Sequence, residues 1–341
     1  MNLALAPLQL EPPVATFLAR HGHARANIAA LPGDASARRY LRLEGAGLLL
    51  MEDRTDPVGF AAFLRIARHL NALGLSAPRV IGADPAVGLA LIEDFGLTTY
   101  SAQLARGVDE EKLYRLAMDA LLHLHGHALA ADVTAPAYDL PTLLDELSIF
   151  SEWFLKALRP GEDISGFDQE FRTLWAKALE PLKNAPQTLV LRDFHVDNLM
   201  EIEERSGVQR CGLLDFQDAV LGPAEYDLVS LLQDARRDLS GGLEAKMLAH
   251  YIERAPENAG GADAITHRYH LLGAQRHTRI AGVFLRLAKR DGKPGYLTFM
   301  PRVLRQMQAA FAAAQLHEIA EFIDRIIPEW RDAGAAIAKH T

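Results

Sequence analysis

The chain has 341 residues, 49% of them hydrophobic, and its 36 lysines and arginines against 44 aspartates and glutamates give a formal net charge of -8. That length is enough for two compact lobes, while the acidic balance argues against a nucleic-acid partner, which needs a clustered basic surface. One cysteine, Cys211, makes no internal disulfide, and the start MNLALAPLQLEPPV is too short and proline-broken for a signal peptide or a membrane span, so a cytoplasmic protein is expected, with no obligate protein partner evident.

In chain order, a short helix over about 11–21 is expected ahead of a first strand. RYLRL (39–43) and LLLME (48–52) read as strands joined by the turn EGAG (44–47). DPVGFAAFLRIARHLNALGL (56–75), with Pro57 near its start, carries apolar residues at helical spacing. PRVIG (78–82) and GLALIED (88–94) are two more strands, which completes a five-stranded unit bearing one helix over residues 1–95. After Phe95-Gly96 the pattern turns helical, over 99–131, 139–158, 167–184 and from 225 almost to the end. Only 188–202 and 210–216 read as strands within residues 96–341.

Those two strands enclose LRDFHVDNLM (191–200). Arg192-Asp193 and Asn198 fit the pattern R-D-x-x-x-x-N, which in protein kinases presents an aspartate to the acceptor hydroxyl and an asparagine to a metal. Phosphoryl transfer asks for one carboxylate to orient the attacking oxygen and an oxygen-rich shell to hold Mg²⁺ on the phosphates. Asp215, in CGLLDFQD, ends the apolar run Leu213-Leu214 and so emerges from a strand where a second metal ligand is needed. His195 is expected to brace the loop. His123, His125 and His127 lack an acidic third ligand at a recognisable spacing and read as structural.

LRDFHVDNLM together with LLDFQDAVLGPAEYDLVSLL resembles the aminoglycoside phosphotransferase and choline kinase superfamily. LPGDASARRYLRL near the front and QRHTRIAGVFLRLAKRDGKPGYL near the back narrow the resemblance to the anomeric N-acetylmuramate/N-acetylglucosamine kinases of bacterial cell-wall recycling. The resemblance spans residues 31–297. It implies an α+β, bilobal, protein-kinase-like fold, with an antiparallel five-stranded nucleotide-binding lobe (1–95) and a helical catalytic and substrate-binding lobe (96–341). It also implies ATP and Mg²⁺ as cofactors and an amino sugar as acceptor, phosphorylated to its 1-phosphate. Asp193 is then the catalytic base, and Asn198 and Asp215 are the magnesium ligands. Asp197 either supports the metal site or caps the loop. Asp218 and Glu225 are placed for substrate contacts, and Asp227 for anchoring a helix.

At the nucleotide end, Gly33, Asp34 and Ser36 form a small-residue loop suited to phosphate oxygens. GLLLMED lacks the lysine most superfamily members place there, and the helix after it lacks the glutamate that would pair with it. Losing both is physically coherent, because a buried glutamate without its lysine is costly. Arg38, Arg39 or Arg42 would supply the missing charge, with Arg38 and Arg42 on one face of the strand and Arg39 on the other. Adenine would be held by the backbone of Glu93, Asp94 and Phe95.

At the acceptor end, Arg276, Arg279, Arg286 and Arg290 fall within about 80° of helical arc beside Ile280, Val283 and Leu287. They are either the solvated edge of a packed helix or a recognition surface for an anionic or polar sugar. Trp153, Trp175 or Tyr296 could stack on the sugar ring. An aminoglycoside or other hydroxyl kinase, and a non-catalytic nucleotide-binding pseudokinase, remain as alternatives.

Overall fold

The computed structural model describes residues 10–31, 38–163 and 165–338; Gly33, Asp34 and Ser36 lie outside the described residues. The chain forms two compact units. One runs through Ala135 and includes Asp193–Ala219; the other comprises Pro136–Arg192 and the chain from Val220 onward.

The first unit is built on an antiparallel sheet of β1 (Ile28–Ala30), β2 (Arg39–Leu43), β3 (Leu48–Glu52), β4 (Val80–Asp84) and β5 (Leu89–Glu93). Its strand order is β1-β2-β3-β5-β4. Alternation in RYLRL sends Leu41 and Leu43 to one face, where they join Leu50, Leu89 and Leu91 against Val14, Phe17 and Leu18 of the helix Pro12–Arg20. Each such leucine, fully buried, contributes roughly 1.5–3 kcal/mol. The opposite face carries the row Arg42, Leu49 and Ile92, which are paired across β2, β3 and β5.

The expected helix over 56–75 runs Pro57–Ala72, starting where Asp56 accepts the Gly59 N–H and Pro57 needs no partner for a missing donor. Gly88 is required between the strands: its φ is +65° and an added Cβ would lie 2.3 Å from the Asp53 carbonyl oxygen. The helical stretch expected over 99–131 divides into Tyr100–Ala105 and Glu110–Gly126 at Gly107, where φ is +82°.

The single strand expected over 188–202 is two short ones that pair with different partners. β6 (Gln187–Val190) lies in the second unit and pairs with a strand not anticipated, β9 (Val220–Pro223). VLGP reads locally as a turn, yet its Gly222 admits Tyr138, whose Cβ an alanine there would meet at 2.8 Å. β7 (Leu199–Glu201) and β8 (Cys211–Leu213) pair in the first unit, with Leu199 opposite Leu213.

The second unit is organised by the 29-residue helix Gly261–Lys289. The stretch expected as helix over 139–158 packs against it as an α-helix, Leu140–Ile149, that widens into a π-helical turn at Phe150–Leu155. Gly282 allows that approach, since a Cβ would sit 2.2 Å from the Ile149 carbonyl oxygen. Trp175 is fully buried between Phe171 and Phe311 and presents no surface to a sugar, which removes it from the stacking candidates. No helix among the described residues is long and apolar enough to cross a membrane.

Candidate active site

The register of the β7–β8 hairpin brings the two expected metal ligands to one end. Asn198 immediately precedes β7 and Asp215 follows β8 by two residues, and the Leu214 N–H donates to the Asn198 carbonyl oxygen at 2.9 Å. The Asn198 side-chain nitrogen donates to the Asp193 carbonyl oxygen at 3.0 Å and lies 3.3 Å from His195 Nε2. The amide nitrogen is thereby spent within the loop, and the amide oxygen is the end suited to a cation. His195 is buried beside Asn198, whereas Asp197 is exposed.

Asp215 adopts φ of +57°, uncommon for a residue with a side chain. It keeps a surface toward the cavity, but the protein around it disfavours the charged carboxylate and raises its pKa. Repulsion from Asp193 and Asp218 adds to this, while the Gln217 hydrogen bond and Arg38 oppose it.

Asn198 and Asp215 line a cavity of about 330 Å³. Its other walls are Tyr40, Leu49 and Ile92 from the sheet, Phe63 from the helix Pro57–Ala72, and the connection Glu93–Leu97. The expected hinge and the expected metal ligands therefore share one cavity inside the first unit. Around it, Asp94 accepts from Arg42 Nη2 at 2.9 Å and from the Gly96 N–H at 2.8 Å. Glu93 accepts from Arg205 Nη2 at 2.6 Å and Arg79 Nε at 3.1 Å, and Arg205 also lies over the Phe95 ring. Arg39 is exposed and pairs with Glu52 at 3.6 Å. Arg38 is buried against Asp53 and Gln217. Asp218 is exposed, 3.5 Å from the Gln217 amide nitrogen. His123 and His127 bond backbone groups of Leu73 and Leu129.

In the second unit, the carboxylate of Asp227, fully buried, accepts the N–H groups of Leu191 and Arg192 at 2.7 and 2.8 Å. Arg192 sits at φ of +67°, and its carbonyl oxygen accepts from Ser230 Oγ at 2.6 Å. The residue before Asp193 is thus held in a strained conformation by a charge-assisted clamp, so Asp227 fixes the backbone that leads into Asp193.

Arg192 also pairs with Glu146, which accepts from Tyr138 Oη at 2.6 Å and lies 3.3 Å from Arg279 Nε. Arg286, half-buried, has its pKa lowered by desolvation and then by Arg290 and Arg279. Arg276 is buried with its guanidinium on Tyr226, and Glu225 is buried in an ion pair with Arg268. Arg290 is exposed and paired with Asp291. Trp153 and Tyr296 are half-buried. Glu146 and Tyr138 carried no signal of their own in the sequence, and Arg192 was legible only as part of the R-D-x-x-x-x-N pattern.

Residues 27–262 match the phosphotransferase enzyme family. The N-acetylmuramate/N-acetylglucosamine kinase of Caulobacter vibrioides is 36% identical, over 92% of this chain and 96% of its own. The enzyme of the same name from Pseudomonas aeruginosa is 32% identical over 85% of this chain and 86% of its own. Among solved structures, choline kinase LicA from Streptococcus pneumoniae superposes with a TM-score of 0.59 at 12% identity, over 89% of this chain and 99% of its own. ADP-bound aminoglycoside phosphotransferase APH(2'')-Ib gives 0.60 at 16% identity, over 89% and 99%.

The expected α+β, protein-kinase-like fold is thereby established as the one these two structures share. This chain belongs to the phosphotransferase enzyme family and is a small-molecule kinase.

Proposed function

We propose that the protein transfers the γ-phosphoryl group of ATP to the anomeric hydroxyl of N-acetylmuramate or N-acetylglucosamine, giving ADP and the sugar 1-phosphate. The observation that carries the reading is the cavity whose lining combines the Glu93–Leu97 connection with Asn198 and Asp215, in a chain 30–36% identical to kinases named for those two sugars.

The donor set fits magnesium. An amide oxygen and a carboxylate are hard ligands, and two of them suit an ion that keeps water and phosphate oxygens in its shell. Asn198 and Asp215 would hold the ion, which when bound neutralises charge on the β- and γ-phosphates. Asp193 orients the sugar hydroxyl and accepts its proton. The N–H groups of Glu93 and Asp94 already donate to the Arg79 and Gly47 carbonyl oxygens, which leaves base recognition to Phe95 and the hinge carbonyls.

In the second unit, Arg192 and Arg279 both lie against the single carboxylate of Glu146, while Arg286 is influenced by Arg290 and Arg279 and by Asp291 and Glu152. A guanidinium-rich surface suits a carboxylate or a polar acceptor and disfavours a polycationic aminoglycoside. Asp193→Asn tests the assignment: kcat should fall by a factor of about 10²–10⁴, the usual span for a lost general base, with Mg·ATP still bound. A variant that turns over at the wild-type rate would remove Asp193 from its role.

A further inference from the structure

The cavity poses an electrostatic problem. Its described lining contains Glu93, Asp94, Asp197 and Asp215 and no lysine, arginine or histidine. A nucleoside triphosphate brings more negative charge still, and like charges in a partly enclosed cavity repel strongly. Arg42 and Arg205 already balance Asp94 and Glu93 at the hinge. Among the described residues, the donor directly on the Asp215 carboxylate is a neutral one, Gln217 Nε2 at 2.8 Å.

Behind that amide lies a cation. Arg38 Nη1 donates to Gln217 Oε1 at 2.9 Å, and Arg38 Nε donates to Asp53 Oδ2 at 3.0 Å. The guanidinium also lies 5.6 Å from the centre of the Phe63 ring, and Phe63 is itself a wall of the cavity. Asp53 is firmly placed, since it is 4% exposed, its N–H donates to the Gly88 carbonyl oxygen, and its carboxylate accepts the Asp56 N–H. The result is a chain of bonded groups, Asp53–Arg38–Gln217–Asp215, that runs from the end of β3 to the expected metal carboxylate. The geometry holds a rigid, always-charged fork beside the place where phosphates must lie.

Arg39 and Arg42 are engaged elsewhere. The Arg39 side chain is 63% exposed beside Glu52. Arg42 donates to both oxygens of Asp94 and to the Gly96 carbonyl oxygen. On this basis we propose that Arg38 is the residue that binds the nucleotide's phosphates, with Asp53 fixing its position and Gln217 coupling it to Asp215. The assignment rests on the nucleotide reading of the cavity given above.

Calorimetric titration of Arg38→Met, Gln217→Leu, Arg39→Met and the wild type with Mg·ADP and with adenosine tests it. Arg38→Met should bind Mg·ADP at least about tenfold more weakly, with adenosine affinity within about twofold of wild type. Gln217→Leu, on a partly exposed loop, should show the same selective loss to a smaller degree, and Arg39→Met none. Unchanged Mg·ADP affinity in Arg38→Met, or equal losses for Mg·ADP and adenosine, would overturn the assignment by reducing Arg38 to a structural partner of Asp53. If Arg38→Met does not fold, Gln217→Leu decides alone, and unchanged Mg·ADP affinity there overturns it. Wild-type protein that binds neither ligand would overturn the nucleotide reading itself, a failure visible before any variant is compared.

Discussion

Replacing Asp227 by asparagine isolates the clamp on the backbone that leads into Asp193, the proposed base. The native carboxylate takes two backbone N–H groups at 2.7 and 2.8 Å in a site with no solvent exposure. Hydrogen bonds to a charged acceptor contribute about 1.5–3 kcal/mol each. An asparagine of the same shape keeps one acceptor oxygen and turns an amide donor toward the second N–H. The expected destabilisation is therefore about 2–4 kcal/mol. The left-handed conformation of Arg192, which itself costs roughly 1–3 kcal/mol, loses one of the bonds that maintain it. Relaxation there displaces Asp193, the next residue along the chain, and misplacement by about 1 Å can cost 10²-fold in rate. Urea denaturation followed by circular dichroism should show a lower midpoint with an unchanged m-value, and kcat should fall more than the KM for ATP rises. A variant with wild-type midpoint and wild-type kcat would show that the two N–H bonds neither hold the loop nor position Asp193.

Desolvation by the surrounding protein and repulsion from Asp193 raise the pKa of Asp215, so its carboxylate costs stability between the unfolded value, 3.8, and the raised folded one, and that cost persists at neutral pH. Asp215→Asn should therefore raise the melting temperature of the ligand-free protein at pH 7 while abolishing the further rise that Mg·ATP gives the wild type; a lower ligand-free melting temperature would contradict this. His277 behaves in the opposite sense. It is fully buried, 2.8 Å from Gln233 Oε1, and burial followed by Arg276 pushes its pKa down to about 3 from 6.5. The unfolded chain binds the proton first, so stability should fall as pH drops below 6.5 toward 3, by a contribution on the order of 4 kcal/mol. His277→Gln should flatten that slope in denaturation curves taken from pH 7 to pH 4, and an unchanged slope would exclude His277 as its source.

Much of the sheet was legible because its alternation is strict. RYLRL could only divide Leu41 and Leu43 from Tyr40 and Arg42, and the structure uses both faces. The pair Asn198 and Asp215 was legible because short apolar runs flank each, and pairing those runs closes the hairpin. The choice among Arg38, Arg39 and Arg42 was not, because it depends on partners remote in sequence: Gln217 is 179 residues from Arg38. β9 was hidden by its glycine and proline, which announce a turn unless Tyr138 is known to need the space. The π-helical turn at Phe150–Leu155 has the same apolar spacing as an α-helix, and only the close approach at Gly282 reveals it. Trp153 and Trp175 are alike as residue types, and only packing separates a half-buried ring from a core one.

A ³¹P spectrum of the products formed from ATP, Mg²⁺ and N-acetylglucosamine or N-acetylmuramate bears most directly on the reaction. The account predicts ADP together with a sugar-phosphate signal split into a doublet by the single proton on the anomeric carbon. A triplet from a primary phosphate, or ATP left intact beside both sugars, would contradict it.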